Sequence, residues 1–140
     1  MKKIIVAILA LSLLVCCCAC QEKLPEGVTE DAYIKVFFQD GSTETLALGT
    51  LTAMMETDLA GYNEKYARND MEMATTIIKY EPHYEMNGFV RVTFEGGWNC
   101  YIEKRDAIAY ELERGQSVKV TGTLIVDGYT IYNANITIVE

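Results

Sequence analysis

Hydrophobic residues follow three spacing rules along this chain: a continuous run near the start, alternation over several short stretches, and three-to-four-residue steps over one longer stretch. Residues 4–15 are apolar except for Ser12 and follow Met1-Lys2-Lys3. A run of that length is too short for a membrane helix, which needs about 20 residues, but it fits the roughly 7–15 of a secretory h-region behind a positive n-region. Residues 1–19 therefore read as a signal peptide. Residues 20–32 are polar, contain Pro25 and Gly27 and show no period, which predicts a flexible tether.

From residue 33 the pattern is that of strands. Two β-rich runs, 33–38 and 43–48, flank Asp40-Gly41, a hairpin signal because the turn needs a positive φ that Gly supplies without strain. Leu51, Met54, Met55, Leu59, Tyr62 and Tyr66 then recur at helical steps, which predicts an amphipathic helix with Thr50 as its N-cap and Asn69-Asp70 as its close. Methionines at this spacing fill a core more often than they bind a cofactor.

Strands are predicted again at 71–81, 89–95 and 98–103, the last two joined by the tight turn Gly96-Gly97. A second helix is predicted over 104–114, with Ile108, Ala109 and Leu112 on one side and Gly115 as the stop. Two final strands, 117–126 and 129–139, are joined by Asp127-Gly128, which predicts a two-residue hairpin. The order is β-β-β-α-β-β. A helix between the third and fourth of five antiparallel strands is the topology of the OB-fold. The expected architecture is mainly β, a five-stranded OB-fold Greek-key barrel over 70–140, preceded by an N-terminal hairpin and amphipathic helix over 33–69.

Composition narrows the classes. About 120 residues beyond the leader suffice for a single core without covalent staples. The formal charge is −8, and loss of Lys2 and Lys3 with the leader leaves 20 acids against ten bases. Gripping phosphates needs a broad basic face, so nucleic acid is not expected as a partner. Single-stranded nucleic acid would require Arg91, Lys79 and Lys35 to cluster against that net charge.

Four of the five cysteines fall between 16 and 20, leaving Cys100 alone in the domain. A lone thiol cannot bridge internally, and the alternation of Trp98-Asn99-Cys100-Tyr101-Ile102 turns Cys100 inward while Asn99 and Tyr101 leave the core. Cys100 therefore reads as core filler. The segment Cys16-Cys17-Cys18-Ala19-Cys20 resembles a bacterial lipoprotein signal, in which a small residue precedes the Cys that is lipidated and becomes the mature N-terminus. Cys20 follows the small Ala19 and is the expected lipid attachment. Cys17 and Cys18 have Leu14 and Val15 at the outer position, but a Cys just before them. The resemblance implies an exported domain anchored to a bacterial membrane and facing the periplasm or the outside.

A second resemblance comes from Leu112-x-x-Gly115-x-x-Val118-x-Val120-x-Gly122, preceded by Cys100-Tyr101-Ile102 and followed by Tyr132-Asn133-Ala134-Asn135-Ile136. Together with Asn63-Glu64-Lys65-Tyr66 at the end of the first helix, these residues resemble the tRNA-anticodon-binding-like OB-fold lipoproteins over roughly 50–139. The family name describes the likeness of a fold and does not bring tRNA binding to an exported domain. The hairpin at 33–48 has no place in that family's five-strand barrel, and Ala74-Thr75-Thr76 stands where a Gly is usual.

Sites for chemistry are scarce. The single His, His83, lies in the turn-like Glu81-Pro82-His83-Tyr84-Glu85. Glu81, His83 and Glu85 alternate and would share one face of an extended strand with mixed oxygen and nitrogen donors, but the segment reads as solvated loop, and no metal, cofactor or catalytic residue is expected. Glu111 and Glu113 lie two apart on the predicted helix and do not face each other. Asn135-Ile136-Thr137 matches a glycosylation triplet, which carries no weight in a bacterial lipoprotein.

What remains is a binding surface. OB-folds bind across their second and third strands. Val90, Val92 and Phe94 are expected inside, which turns Phe89 and Arg91 outward beside Tyr101, with Tyr132 as a further member of an aromatic patch. The expected function is a non-enzymatic, lipid-anchored envelope binding protein that recognises a protein partner through this face. The alternative is a small ligand, oligosaccharide or peptide at the same place.

Overall fold

A computed structural model describes residues 23–82 and 87–140. The leader, Cys20, His83 and Glu85 lie outside the described residues. Among the described residues the fold is mainly β, with seven strands in one open sheet and two helices.

The first hairpin is built from β1 (Tyr33–Phe37) and β2 (Thr43–Ala47), with Ile34 and Val36 buried. Gly41 takes φ 87° in its turn, and the Asp40 carboxylate accepts both the backbone N–H and the hydroxyl of Ser42, at 2.9 and 2.6 Å. Those two bonds hold the Asp40 carboxyl below its usual pKa. The hairpin extends the sheet, because β1 pairs along β3 (Asp70–Glu81), setting Ile34 opposite Met73 and Val36 opposite Met71.

The single helix expected over 51–66 is two: α1 (Leu48–Thr57) and α2 (Leu59–Lys65). Asp58 breaks it. Its backbone leaves helical geometry and its side chain accepts the Gly61 N–H at 3.0 Å, capping α2 in the way short polar side chains compete with helix continuation. A Cβ at Gly61 would strike that carboxylate. The break resets the helical phase, so Leu51, Met55, Tyr62 and Tyr66 are buried while Leu59 is 40% exposed. Helix α1 starts two residues before the expected cap Thr50, and the Leu48 N–H reaches the Ala32 carbonyl instead.

Strand β3 organises the rest. Residues Asp70 to Thr76 pair with β6 (Ser117–Leu124), and from Ile77 onward β3 pairs with β4 (Phe89–Phe94), which pairs with β5 (Asn99–Glu103). A bulge between Ile77 and Lys79 leaves Ile78 43% exposed. Strand β7 (Ile131–Ile138) pairs with β6, and Thr130 just before it forms a parallel bridge with Asn99 of β5.

Two expected connections differ from the sequence reading. Where a helix was expected over 104–114, only a 3-10 turn, Ala107–Tyr110, forms. The Tyr80 hydroxyl donates to the Ala109 carbonyl at 2.5 Å, taking the acceptor an α-helix would offer to residue 113, and the Glu113 N–H goes to the Gln116 side chain at 2.7 Å. Burial of Ala109 and Leu112 is achieved without a helix. The β6–β7 connection spans residues 125–130 and is not a two-residue turn at Asp127-Gly128. Asn63 on α2 accounts for this, since its side chain donates to the Asp127 carboxylate at 2.6 Å and accepts the Asp127 N–H at 3.0 Å, drawing the loop open toward the helix.

The core centres on Trp98, which has no exposed surface and donates its indole N–H to Thr52 Oγ1 on α1 at 2.9 Å. Tyr129 meets it edge-on at 5.3 Å, and Tyr62, tilted at 6.3 Å, donates its hydroxyl to the Ile125 carbonyl. These rings tie the helices to the start of β5 and to the β6–β7 loop.

Candidate functional site

Alternation along β4 buries Val90, Val92 and Phe94 and leaves Phe89, Arg91 and Thr93 half-buried on the outer face. The tight return through Gly96 and Gly97, at φ 75° and 86°, fixes the register with β5. Arg91 therefore stands directly opposite Tyr101, and Phe89 opposite Glu103. On the other side Arg91 faces Glu81 of β3, its Nε 4.0 Å from a carboxylate oxygen that belongs to a side chain also held by Lys79 at 2.9 Å. The row Glu81, Arg91, Tyr101 runs across three strands. Cross-strand pairs of this kind hold neighbouring side chains about 5 Å apart at Cβ, close enough for one ligand group to touch two of them.

The structure thus brings together Phe89, Arg91 and Tyr101. Tyr132 is elsewhere: 62% exposed, it sits on the β6–β7 ladder opposite Thr123. The sequence reading missed the rim of the face. Glu103, beside Phe89, pairs with Arg105, and with Lys79 and Glu81 these make the surroundings of the two rings mixed in charge. Asn99, expected to leave the core, is only 6% exposed. Its side chain accepts from the Thr130 hydroxyl at 3.0 Å and donates to the Gly97 carbonyl, because β7 crosses β5 at that point.

Cys100 lies in the core opposite Val92, and burial pushes its thiol up to about 12, so at neutral pH it holds its proton. Of the alternating set Glu81, His83 and Glu85, only Glu81 is among the described residues, and there it bonds cations of the protein itself. No group of three or more His, Cys, Asp or Glu that could hold a metal ion occurs among the described residues.

A concavity lies on the sheet's other branch. A groove of about 520 Å³ runs between the N-terminal segment, at Leu24 and Asp31, and the starts of β1 and β6, at Tyr33, Ser117 and Lys119. Tyr33 closes one side by donating its hydroxyl to Glu72 at 2.5 Å, and burial together with that carboxylate raises its pKa.

Comparison of the chain with protein-family models, curated proteins and solved structures gave no match.

Proposed function

We propose that this chain is a non-enzymatic binding domain of the bacterial cell envelope, tethered by a lipid on Cys20, that recognises a protein partner on the outer face of β4 and β5. The observation that carries the reading is the cross-strand row of Arg91 and Tyr101 flanked by Phe89: two aromatic rings and a guanidinium on one half-exposed face. Tyr and Arg are the side chains most enriched where binding energy concentrates, because each offers a large rigid surface with a polar end. The face is that of a five-stranded barrel of OB type. Support for that finer fold is the pairing order, in which β3 bonds β4 and β6, β4 bonds β5, β6 bonds β7, and Asn99 with Thr130 brings β5 to β7. In a barrel of that order the second and third strands are β4 and β5, and OB-folds bind across those strands. The resemblance to the tRNA-anticodon-binding-like OB-fold lipoproteins gives the same reading.

A photoreactive residue in place of Phe89, in the full chain in its own membrane, tests it. Cross-linking to one discrete protein at position 89, absent when the same residue replaces the exposed Thr137 of β7, is expected. Equal or no cross-linking at both positions overturns the partner reading. Cys20→Ser is expected to release the chain from the membrane fraction, and retention there would overturn the anchor at that position.

Capture of a small ligand is the second reading. The groove beside Asp31 and Lys119 favours it, and its volume falls within the roughly 300–1,000 Å³ of small-molecule sites. It moves the ligand from the β4–β5 face to the sheet's other branch.

A further inference from the structure

The loop entering β4 carries a bond that the rest of the molecule does not offer. Asn87 is followed by Gly88, and of the six asparagines in the chain it alone precedes a glycine. Both residues are exposed. Gly88 sits at φ 89°, with open space where a Cβ would be, and its carbonyl is held by the Lys104 N–H at 2.8 Å. An exposed side-chain amide next to an unhindered backbone nitrogen is the arrangement in which that nitrogen can reach the amide carbon, since glycine alone brings no side chain into the path.

The other asparagines are held away from this chemistry. Asn63 is locked to Asp127 by two bonds, and Asn69 donates to the carbonyls of Lys65, Tyr66 and Ala67. Asn99 is buried and bonded to Gly97 and Thr130. Asn135 lies within β7 before the β-branched Ile136, and Asn133 precedes Ala134.

We propose that Asn87 is a self-modification site, at which the chain converts an amide into a carboxylate at the rim of the candidate binding face. The Gly88 nitrogen gives up its proton and bonds to Asn87 Cγ, the Cγ–Nδ2 bond breaks and ammonia leaves, giving a cyclic imide. Water then adds to one of the two imide carbonyls and opens the ring to aspartate or isoaspartate at position 87. No oxidant or cofactor enters. The product adds one negative charge two residues before Phe89, on a rim that already holds Glu81 and Glu103. The added carboxylate weakens an acidic partner's hold and favours a basic one. That consequence rests on the β4–β5 face being the binding face; the bond chemistry does not.

Trypsin puts Asn87 in a peptide apart from the other five asparagines, which makes the test internal. The purified full chain, held for days at mildly alkaline pH and physiological temperature, is digested and weighed. The peptide spanning residues 80–91 is expected to gain the mass of an amide-to-acid exchange several-fold faster than those spanning 36–65, 69–79, 92–104 and 120–140, and faster than itself at mildly acidic pH. Gly88→Ala is expected to slow it, and Asn87→Gln to abolish it. Conversion of 80–91 no faster than the others, or unaffected by Gly88→Ala, overturns the site. The mass readout needs no partner, so its failure is distinct from failure of the binding reading. With conversion observed, unchanged cross-linking by Asn87→Asp at position 89 would overturn the effect on the face.

Discussion

Aromatic side chains occupy two regions of this molecule under opposite rules. Around Trp98 the indole is bonded to Thr52 and the Tyr62 hydroxyl to Ile125, and the rings join elements that are far apart in sequence. On the β4–β5 face, Phe89 and Tyr101 stand half-exposed among charges. The difference separates residues that hold the fold from residues a partner can reach. Aromatic content alone does not make that separation, since both regions contribute to the same composition.

The largest expected effect breaks the inner cluster. Trp98→Ala should destabilise the domain by about 3–5 kcal/mol in denaturant unfolding, the usual cost of emptying a buried aromatic site. A loss of under about 1 kcal/mol would show that the cluster is not what joins the helices to β5. Thr52→Val is the subtler version, because it keeps the volume and strands the indole N–H. It should cost about 1–3 kcal/mol, the penalty for an unsatisfied buried donor.

Thr75 runs the other way. It is buried in β3 with a hydroxyl that has no partner among the described residues, so Thr75→Val should raise stability by about 1 kcal/mol. A decrease would mean that the hydroxyl is satisfied by water or a bound group. The smallest effect lies at the exposed Asp40 turn. Its folded pKa is depressed, so its contribution is present above the ordinary carboxylate range and is lost as pH falls through the folded value. The difference in thermal midpoint between the wild type and Asp40→Asn should be present at neutral pH and close in acid. A pH-independent difference would assign the effect to something other than ionisation.

Legibility in the sequence followed the distance to the deciding partner. Asp40-Gly41 was readable because the turn is satisfied by Ser42, two residues on, and the alternation of 89–94 was readable because it needs only one covered face. The break at Asp58 and the absent helix over 104–114 were not. Asp58 competes locally with an apolar stripe that continues through it, and the Ala109 carbonyl is claimed by Tyr80, 29 residues away. The widened loop at Asp127 depends on Asn63, 64 residues distant. The same holds at the candidate site. The pairing of Arg91 with Tyr101 follows from the Gly96-Gly97 return. The burial of Asn99, and the position of Tyr132 on the other branch, required knowing where β7 crosses.

Under the proposed function, Phe89 and Tyr101 act in recognition and not in holding the fold. The most direct test measures the thermal midpoint and partner retention together on one Phe89→Ala, Tyr101→Ala variant of the full chain. A midpoint close to wild type and loss of the partner cross-linked at the β4–β5 face are expected. A midpoint that falls as far as that of Trp98→Ala, or a partner held as tightly as before, would contradict that role.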